Sequence, residues 1–224
     1  MRPLFVIENP ELTYSVSKEQ TGYGIVDIMM HTLERYFQSS DDVEIADDLA
    51  LGLLKNVVKV GLIVKNNPND YQARANLMLA SSLSHNGLTS IGKKFFMPVH
   101  QMEHAVSGLY PDVAHGAGLA VLFPAWATYY LPYDVDKFDA FAKVVFDSHI
   151  ENKLDNAKKG LELLKTFYDE LGMPLTFNEL GVGPIDIDKL VNKISNNGER
   201  VIPHHTKPMD KEVMLEICRI ASRR

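Results

Sequence analysis

This sequence predicts an all-α protein preceded by a short extended leader, and three observations support that prediction. From Ser17 onward apolar residues recur every three or four positions, the period of one helical face. Short polar residues able to cap a helix (Ser17, Asp41 or Asp42, Asp70, Asn152, Asp186 and Asp210) stand just ahead of such runs. Apolar, β-branched stretches of strand type occur only before Ser17, whereas a crossover α/β fold needs several of them alternating with helices. No long Gly/Ser/Pro linker and no internal repeat divides the chain, so 1–16 read as the leader and 17–224 as one helical domain.

Taken in order, the leader runs Leu4-Phe5-Val6-Ile7, then Asn9-Pro10, then Leu12-Thr13-Tyr14-Ser15-Val16, β-branched, aromatic and broken by proline. Ser17 caps a helix to about 37, with Glu19 in the first turn where the helix dipole favours an acid. Asp41 or Asp42 caps a second over 43–64, whose Ile45, Leu49, Leu53, Val57 and Val60 recur at helical spacing. Asn67-Pro68-Asn69 stops it, and Asp70 begins a third helix as far as Gly87. Two further helical runs flank a loop at Tyr110-Pro111-Asp112. Helices over 136–145, 152–171 and 186–195 follow, and a last one from Asp210 presents Val213, Met214, Ile217 and Ile220. Thr176-Phe177-Asn178-Glu179 has the spacing of a capping box before a short helix.

The bulk numbers exclude several classes of function. With 46% hydrophobic and 23% charged residues, the 224-residue chain has the composition of a soluble globular protein. A net charge of −6 and no basic run argue against nucleic acid or an anionic membrane as partner. No apolar stretch approaches the roughly 20 residues that span a bilayer, and the first residues lack the pattern of a signal peptide. The one cysteine, Cys218, excludes an internal disulfide and fits a reducing compartment, so the cytoplasm is expected.

The chemistry resides in histidines and an aspartate. Asp27 and His31 lie four apart, which on a helix stacks both side chains on one face, with Glu34 following on that face. His100 and His104 repeat the spacing, and His115 opens a helix in Ala114-His115-Gly116-Ala117-Gly118. Asp27 sits among Ile25, Val26, Ile28 and Met29, where a carboxylate is costly unless paired or bound to a cation. One carboxylate with two or three imidazoles would make a divalent transition-metal site with room for a substrate oxygen. On spacing alone this reading and that of hydrogen-bonded core histidines stand side by side. His85 is read as a core histidine of that second kind; His149, His204 and His205 are read as solvated.

Three stretches resemble the iron-containing alcohol dehydrogenases, in their butanol-dehydrogenase-like branch: Gly24-Ile25-Val26-Asp27 through His31-Thr32-Leu33-Glu34, Asn69-Asp70-Tyr71-Gln72-Ala73-Arg74-Ala75-Asn76, and Met102-Glu103-His104-Ala105-Val106-Ser107 continuing from His115 to Trp126. The resemblance runs from Arg2 almost to the C-terminus. It implies the multi-helix C-terminal domain of the dehydroquinate synthase-like fold, with Asp27, His31, His100 and His115 as ligands of a divalent metal, Fe2+ or Zn2+. It also implies that His104 works beside substrate and nicotinamide without binding the ion, as the candidate for proton transfer. The interval from His104 to His115 is one residue longer than the family pattern, with Pro111 and Asp112 in the intervening loop, where an extra residue leaves the flanking helices undisturbed.

By the same resemblance the activity expected is NAD(P)-dependent interconversion of small alcohols and aldehydes. The Gly-rich turn of the family's dinucleotide-binding domain does not occur here, so the isolated chain is expected to be inactive, with a complementing nucleotide-binding domain or a second copy as partner. Two other readings compete. His100-Gln101-Met102-Glu103-His104 satisfies H-x-x-E-H, in which both histidines would bind zinc and Glu103 would be the base of a metallopeptidase. A non-catalytic, metal-binding helical remnant is the other. A helical His-Asp phosphohydrolase is disfavoured because no His-Asp dipeptide occurs.

Overall fold

The computed structural model describes residues 4–37, 43–94 and 96–223. Among these residues the architecture is all-α, with no sheet and one isolated antiparallel bridge between Ile202 and Met209. The helices are α1 (Lys18–Phe37), α2 (Glu44–Asn66), α3 (Tyr71–His85), α4 (Pro98–Leu109), α5 (His115–Tyr130), α6 (Val135–Phe146), α7 (Lys153–Glu170), α8 (Ile187–Ile194) and α9 (Lys211–Ala221). Four starts are fixed by caps legible in the sequence: Asp70, Asn152, Asp186 and Asp210 accept from the backbone N–H groups of Ala73, Asp155, Lys189 and Val213. Ser17 Oγ accepts from the Gln20 N–H at 3.1 Å ahead of α1. The expected caps Asp41 and Asp42 lie outside the described residues.

Helix α5 lies at the centre. Apolar nearly all round, it buries Leu119, Val121, Leu122, Phe123 and Trp126 and packs on α1, α4, α7 and α9. Burying each such side chain contributes about 1.5–3 kcal/mol, so α5 is fixed by transfer from water rather than by local propensity. Helix α1 lies across it, with α2 and α3 on its other sides. The C-terminal end of α1 is locked by Phe37, whose ring stacks on Phe138 at 4.3 Å and meets Phe123, Trp126 and Phe141. That anchorage sets the rotation of α1, and therefore the direction in which Asp27 and His31 project.

Three expectations need correction. The leader is not strand-like throughout: Pro10–Thr13 forms a 3-10 turn, ahead of which the Asn9 side chain accepts from the Glu11 N–H at 3.1 Å. Leu4, Phe5 and Ile7 ahead of it are exposed. Thr176 does precede a short helical turn, Phe177–Leu180, but makes no side-chain cap; instead the Glu179 carboxylate accepts from the Leu175 N–H at 2.7 Å. Helix α2 buries Ala46, Ala50, Leu51, Leu54, Val57, Val60 and Val64, leaving Ile45 and Leu49 exposed. A repeat of four drifts by about 40° per step on a helix turning 3.6 residues per turn, so a run of such steps leaves the buried face at one end.

Candidate metal centre

Four helices bring the histidines together. Asp27 and His31 come from the middle of α1, His85 from the last turn of α3, His100 and His104 from α4, and His115 from the first turn of α5. Around Asp27 Oδ1 stand the Nε2 atoms of His31 at 3.7 Å, His100 at 3.5 Å and His115 at 3.6 Å. These separations are too long for hydrogen bonds, and Asp27 Oδ1 and His100 Nε2 are buried without a hydrogen-bond partner. Ligand atoms about 2.0–2.2 Å from a tetrahedral zinc stand about 3.3–3.6 Å from one another. One carboxylate and imidazole nitrogens at that spacing, with orphaned lone pairs pointing inward, fit a divalent transition metal.

The outer nitrogens are equally organised. His100 Nδ1 is hydrogen-bonded to Glu34 and His115 Nδ1 to Glu103, both carboxylates being fully buried. Glu34 also accepts from the Val99 N–H at 2.6 Å, so one carboxylate from α1 both satisfies an otherwise unpaired donor at the start of α4 and orients its histidine. Glu103 also accepts from Ser107 Oγ. With each Nδ1 donating its hydrogen backward, each Nε2 keeps a lone pair aimed at the cavity, the arrangement by which carboxylates fix the tautomer of metal-binding histidines.

Two glycines allow this packing. A Cβ on Gly116 would lie 2.5 Å from the Tyr23 carbonyl oxygen, so only glycine lets the start of α5 rest on α1 beside Asp27. A Cβ on Gly118 would lie 2.8 Å from Glu103 Cγ and 2.9 Å from its carboxylate, which occupies the space that a side chain would take.

The electrostatics follow from crowding. Burial, then the neighbouring rings of His100 and His85, push the His31 pKa down to about 3 against the pull of Asp27. Burial also opposes charge on His100, but the carboxylates of Asp27 and Glu34 outweigh it and raise its pKa to about 9. Burial opposes ionisation of Asp27 too, yet His100, His31 and His115 hold its carboxyl below the usual range. Without an ion His100 thus holds its second proton between Asp27 and Glu34, and a cation at its Nε2 would displace that proton.

The chain matches the model of the Fe-containing alcohol dehydrogenase family, C-terminal, over residues 21–222. It belongs to that family. Relative to NADH-dependent butanol dehydrogenase A of Clostridium acetobutylicum it is 37% identical over 221 residues, covering 97% of this chain and 56% of that protein. A crystal structure of NADH-dependent butanol dehydrogenase A from Thermotoga maritima superposes with a TM-score of 0.88 at 33% identity, covering 96% of this chain and 55% of that one. The aldehyde reductase YqhD of Escherichia coli shares the fold, with a TM-score of 0.91 at 24% identity, covering 98% of this chain and 57% of that one. The chain spans about half the length of the relatives it matches.

As a member of the Fe-containing alcohol dehydrogenase family, the chain leaves little room for the zinc-peptidase pattern. Glu103 is buried behind His115 with its oxygens engaged, so it has no access to a water nucleophile, and His104 is exposed rather than turned toward Asp27. The His104 ring stacks on that of His115 at 5.6 Å between centroids, at the open side of the cluster.

Two residues in the site escaped sequence reasoning or are placed differently by the structure. The H-x-x-E-H pattern offers Glu103 only as a base, whereas the structure makes it the outer partner of His115. His85 is no core histidine: its side chain is 40% exposed and its Nε2 lies 3.6 Å from Asp27 Oδ2. Away from the cluster, His204 and His205 are half-buried rather than solvated, His204 against Trp126 and Tyr130 and His205 hydrogen-bonded to Asp134 at 2.9 Å. His149 is exposed, as expected.

Proposed function

We propose that residues 17–224 are the metal-holding domain of an NAD(P)-dependent enzyme that interconverts small alcohols and aldehydes, working with a nucleotide-binding domain. The convergence of three imidazole Nε2 atoms on Asp27 Oδ1, two of them backed by buried glutamates, carries this reading. Asp27, His31, His100 and His115 would hold the ion, iron or zinc. When bound, the ion supplies Lewis-acid polarisation of the substrate oxygen, and the nicotinamide supplies the hydride chemistry. The protein's own part is positional. Glu34 and Glu103 keep the ligand nitrogens bare and aimed, the anchored α1 holds Asp27 against them, and His104 on the exposed side gives a proton to, or takes one from, the substrate oxygen at a ring nitrogen. The NADH-dependent relatives support a nicotinamide partner, and their names support small alcohols and aldehydes as substrates.

The test is metal binding by the chain itself. Wild type should take up zinc or ferrous iron, and Asp27→Asn and His100→Ala should each lose it, as read by competition with a chromophoric chelator. His104→Ala should retain it. Unchanged metal content in both Asp27→Asn and His100→Ala would sink the proposal, and loss in His104→Ala equal to that in His100→Ala would overturn the division of roles.

A further inference from the structure

Five histidines, not four, border this cluster, and His85 has no part in the reading above. Its Nδ1 lies 2.9 Å from the Ser81 carbonyl oxygen and 2.8 Å from Ser84 Oγ. A carbonyl accepts only, so Nδ1 bears the hydrogen and the Nε2 of the neutral ring has a bare lone pair. That Nε2 points at Asp27 Oδ2, 3.6 Å away, a second lone-pair-bearing atom too distant for a hydrogen bond. His31 flanks it, with ring centroids 3.8 Å apart, and His31 Nδ1 is buried without a partner. Ligand-type atoms of Asp27, His31 and His85 all lie within 4.8 Å of one another, as do those of Asp27, His100 and His115. The two triads share only the aspartate.

We propose that Asp27, His31 and His85 form a second divalent-cation position, next to the one already described and sharing Asp27 with it. It rests on that reading, because the carboxylate common to both is Asp27. The two oxygens have different neighbours: Oδ1 has His100 and His115, with His31 beside it at 3.7 Å, and Oδ2 has His85. A carboxylate so placed can bridge two ions, and paired ions in two-metal sites stand about 3.5–4 Å apart. His31 is common ground. With one ion bound it completes that ion's ligands; with two, the first keeps Asp27, His100 and His115, three protein ligands with an open position, as catalytic zinc sites do. Nitrogen-rich donors select zinc or another borderline transition metal over magnesium or calcium. The half-exposed His85 ring leaves the second position open to solvent, so it should fill last and empty first.

The experiment is a zinc titration of the full chain against a chromophoric chelator, with circular dichroism to establish that each variant is folded. Wild type should bind two zinc ions in distinguishable steps. Losing an outer partner alone weakens metal sites about 10–100-fold, so removing one of three direct donors in His85→Ala should weaken the second step by at least about that factor. The first step should keep its affinity, and His85→Asn should behave like His85→Ala. A cobalt-loaded wild type should show magnetically coupled ions, and His85→Ala uncoupled single-ion spectra. A single zinc step in wild type, unaltered by His85→Ala, would overturn the second position while leaving the first intact. A single step that His85→Ala weakens would also overturn it, making His85 a fifth donor to one ion. Failure of the primary reading is separable, because there His100→Ala and Asp27→Asn would leave the tight step unchanged.

Discussion

Glu34 illustrates how much one residue can be asked to do. It is buried, it carries charge, and both costs are met by the His100 ring and the Val99 N–H. Replacing it with glutamine keeps the shape but removes the charge that holds the His100 hydrogen on Nδ1. Metal affinity of Glu34→Gln should fall about 10–100-fold with the helical circular dichroism spectrum preserved. Glu103→Gln should behave alike through His115. Retention of wild-type affinity in both variants would mean that the histidines are oriented by backbone packing alone. His104 differs from these residues because it has no such backing and stands at the open side of the cluster. In an intact, two-domain relative its removal should lower kcat and leave metal content unchanged.

At the level of elements, the site is a junction of helix ends with the middle of α1. Gly116 is the point where α5 touches α1, and Gly116→Ala places a methyl group against the Tyr23 backbone, which cannot rotate away. Overpacking of this kind costs about 1–3 kcal/mol. The variant should melt at a lower temperature than wild type and bind metal more weakly, because α5 carries His115 away from Asp27. A lower melting temperature with unchanged metal affinity would show that the junction adapts elsewhere. A second element-level effect concerns the loop carrying His204 after α8. Burial against Trp126 and Tyr130, then the adjacent His205, push the His204 pKa down to about 3, below the 6.5 of an unfolded histidine. The unfolded chain therefore binds a proton that the folded one refuses between these values. The stability this group contributes is complete above about pH 6.5 and is lost progressively as pH falls toward about 3. His204→Phe keeps the ring and removes the titration. Denaturant midpoints measured at about pH 7.5 and about pH 5 should fall less for the variant than for wild type, and equal falls would exclude His204 as a contributor.

For the molecule as a whole, the described residues supply a core and a candidate metal centre. Among the described residues there is no strand–turn–helix of the kind that lets backbone N–H groups approach a pyrophosphate. The Gly181-Val182-Gly183-Pro184 stretch follows a 3-10 turn, its glycines adopt φ of 76° and 82° as loop residues, and Pro184 has no N–H to offer. Calorimetric titration of the metal-loaded chain with NADH and NADPH should accordingly show no micromolar binding, and butyraldehyde should not drive cofactor oxidation. Either result in the opposite sense would reveal a nucleotide site formed from these helices. Folding is independent of that outcome, because the buried apolar residues of the described helices form one cluster.

What the sequence determined by itself was local. Helix existence followed from periodicity, and helix starts from Ser17, Asp70, Asn152, Asp186 and Asp210, because a cap is a bond between a side chain and a backbone N–H two or three residues on. The Asp27–His31 pair was legible for the same reason, since four residues is one turn. Tertiary structure alone decided the rest. Whether α2 buries Leu49 or Leu51 depends on which neighbour it meets, and a drifting stripe does not say. His85 reads as a core histidine and His204 as a solvated loop residue, yet one is carried to the cluster by α3 and the other is laid on an aromatic pair of α5. Glu34 and Glu103 become partners of His100 and His115 only when α4 and α5 dock, contacts that span 66 and 12 residues of chain. Non-local pairings of this kind arise from packing of a shared core, and no spacing along the chain records them.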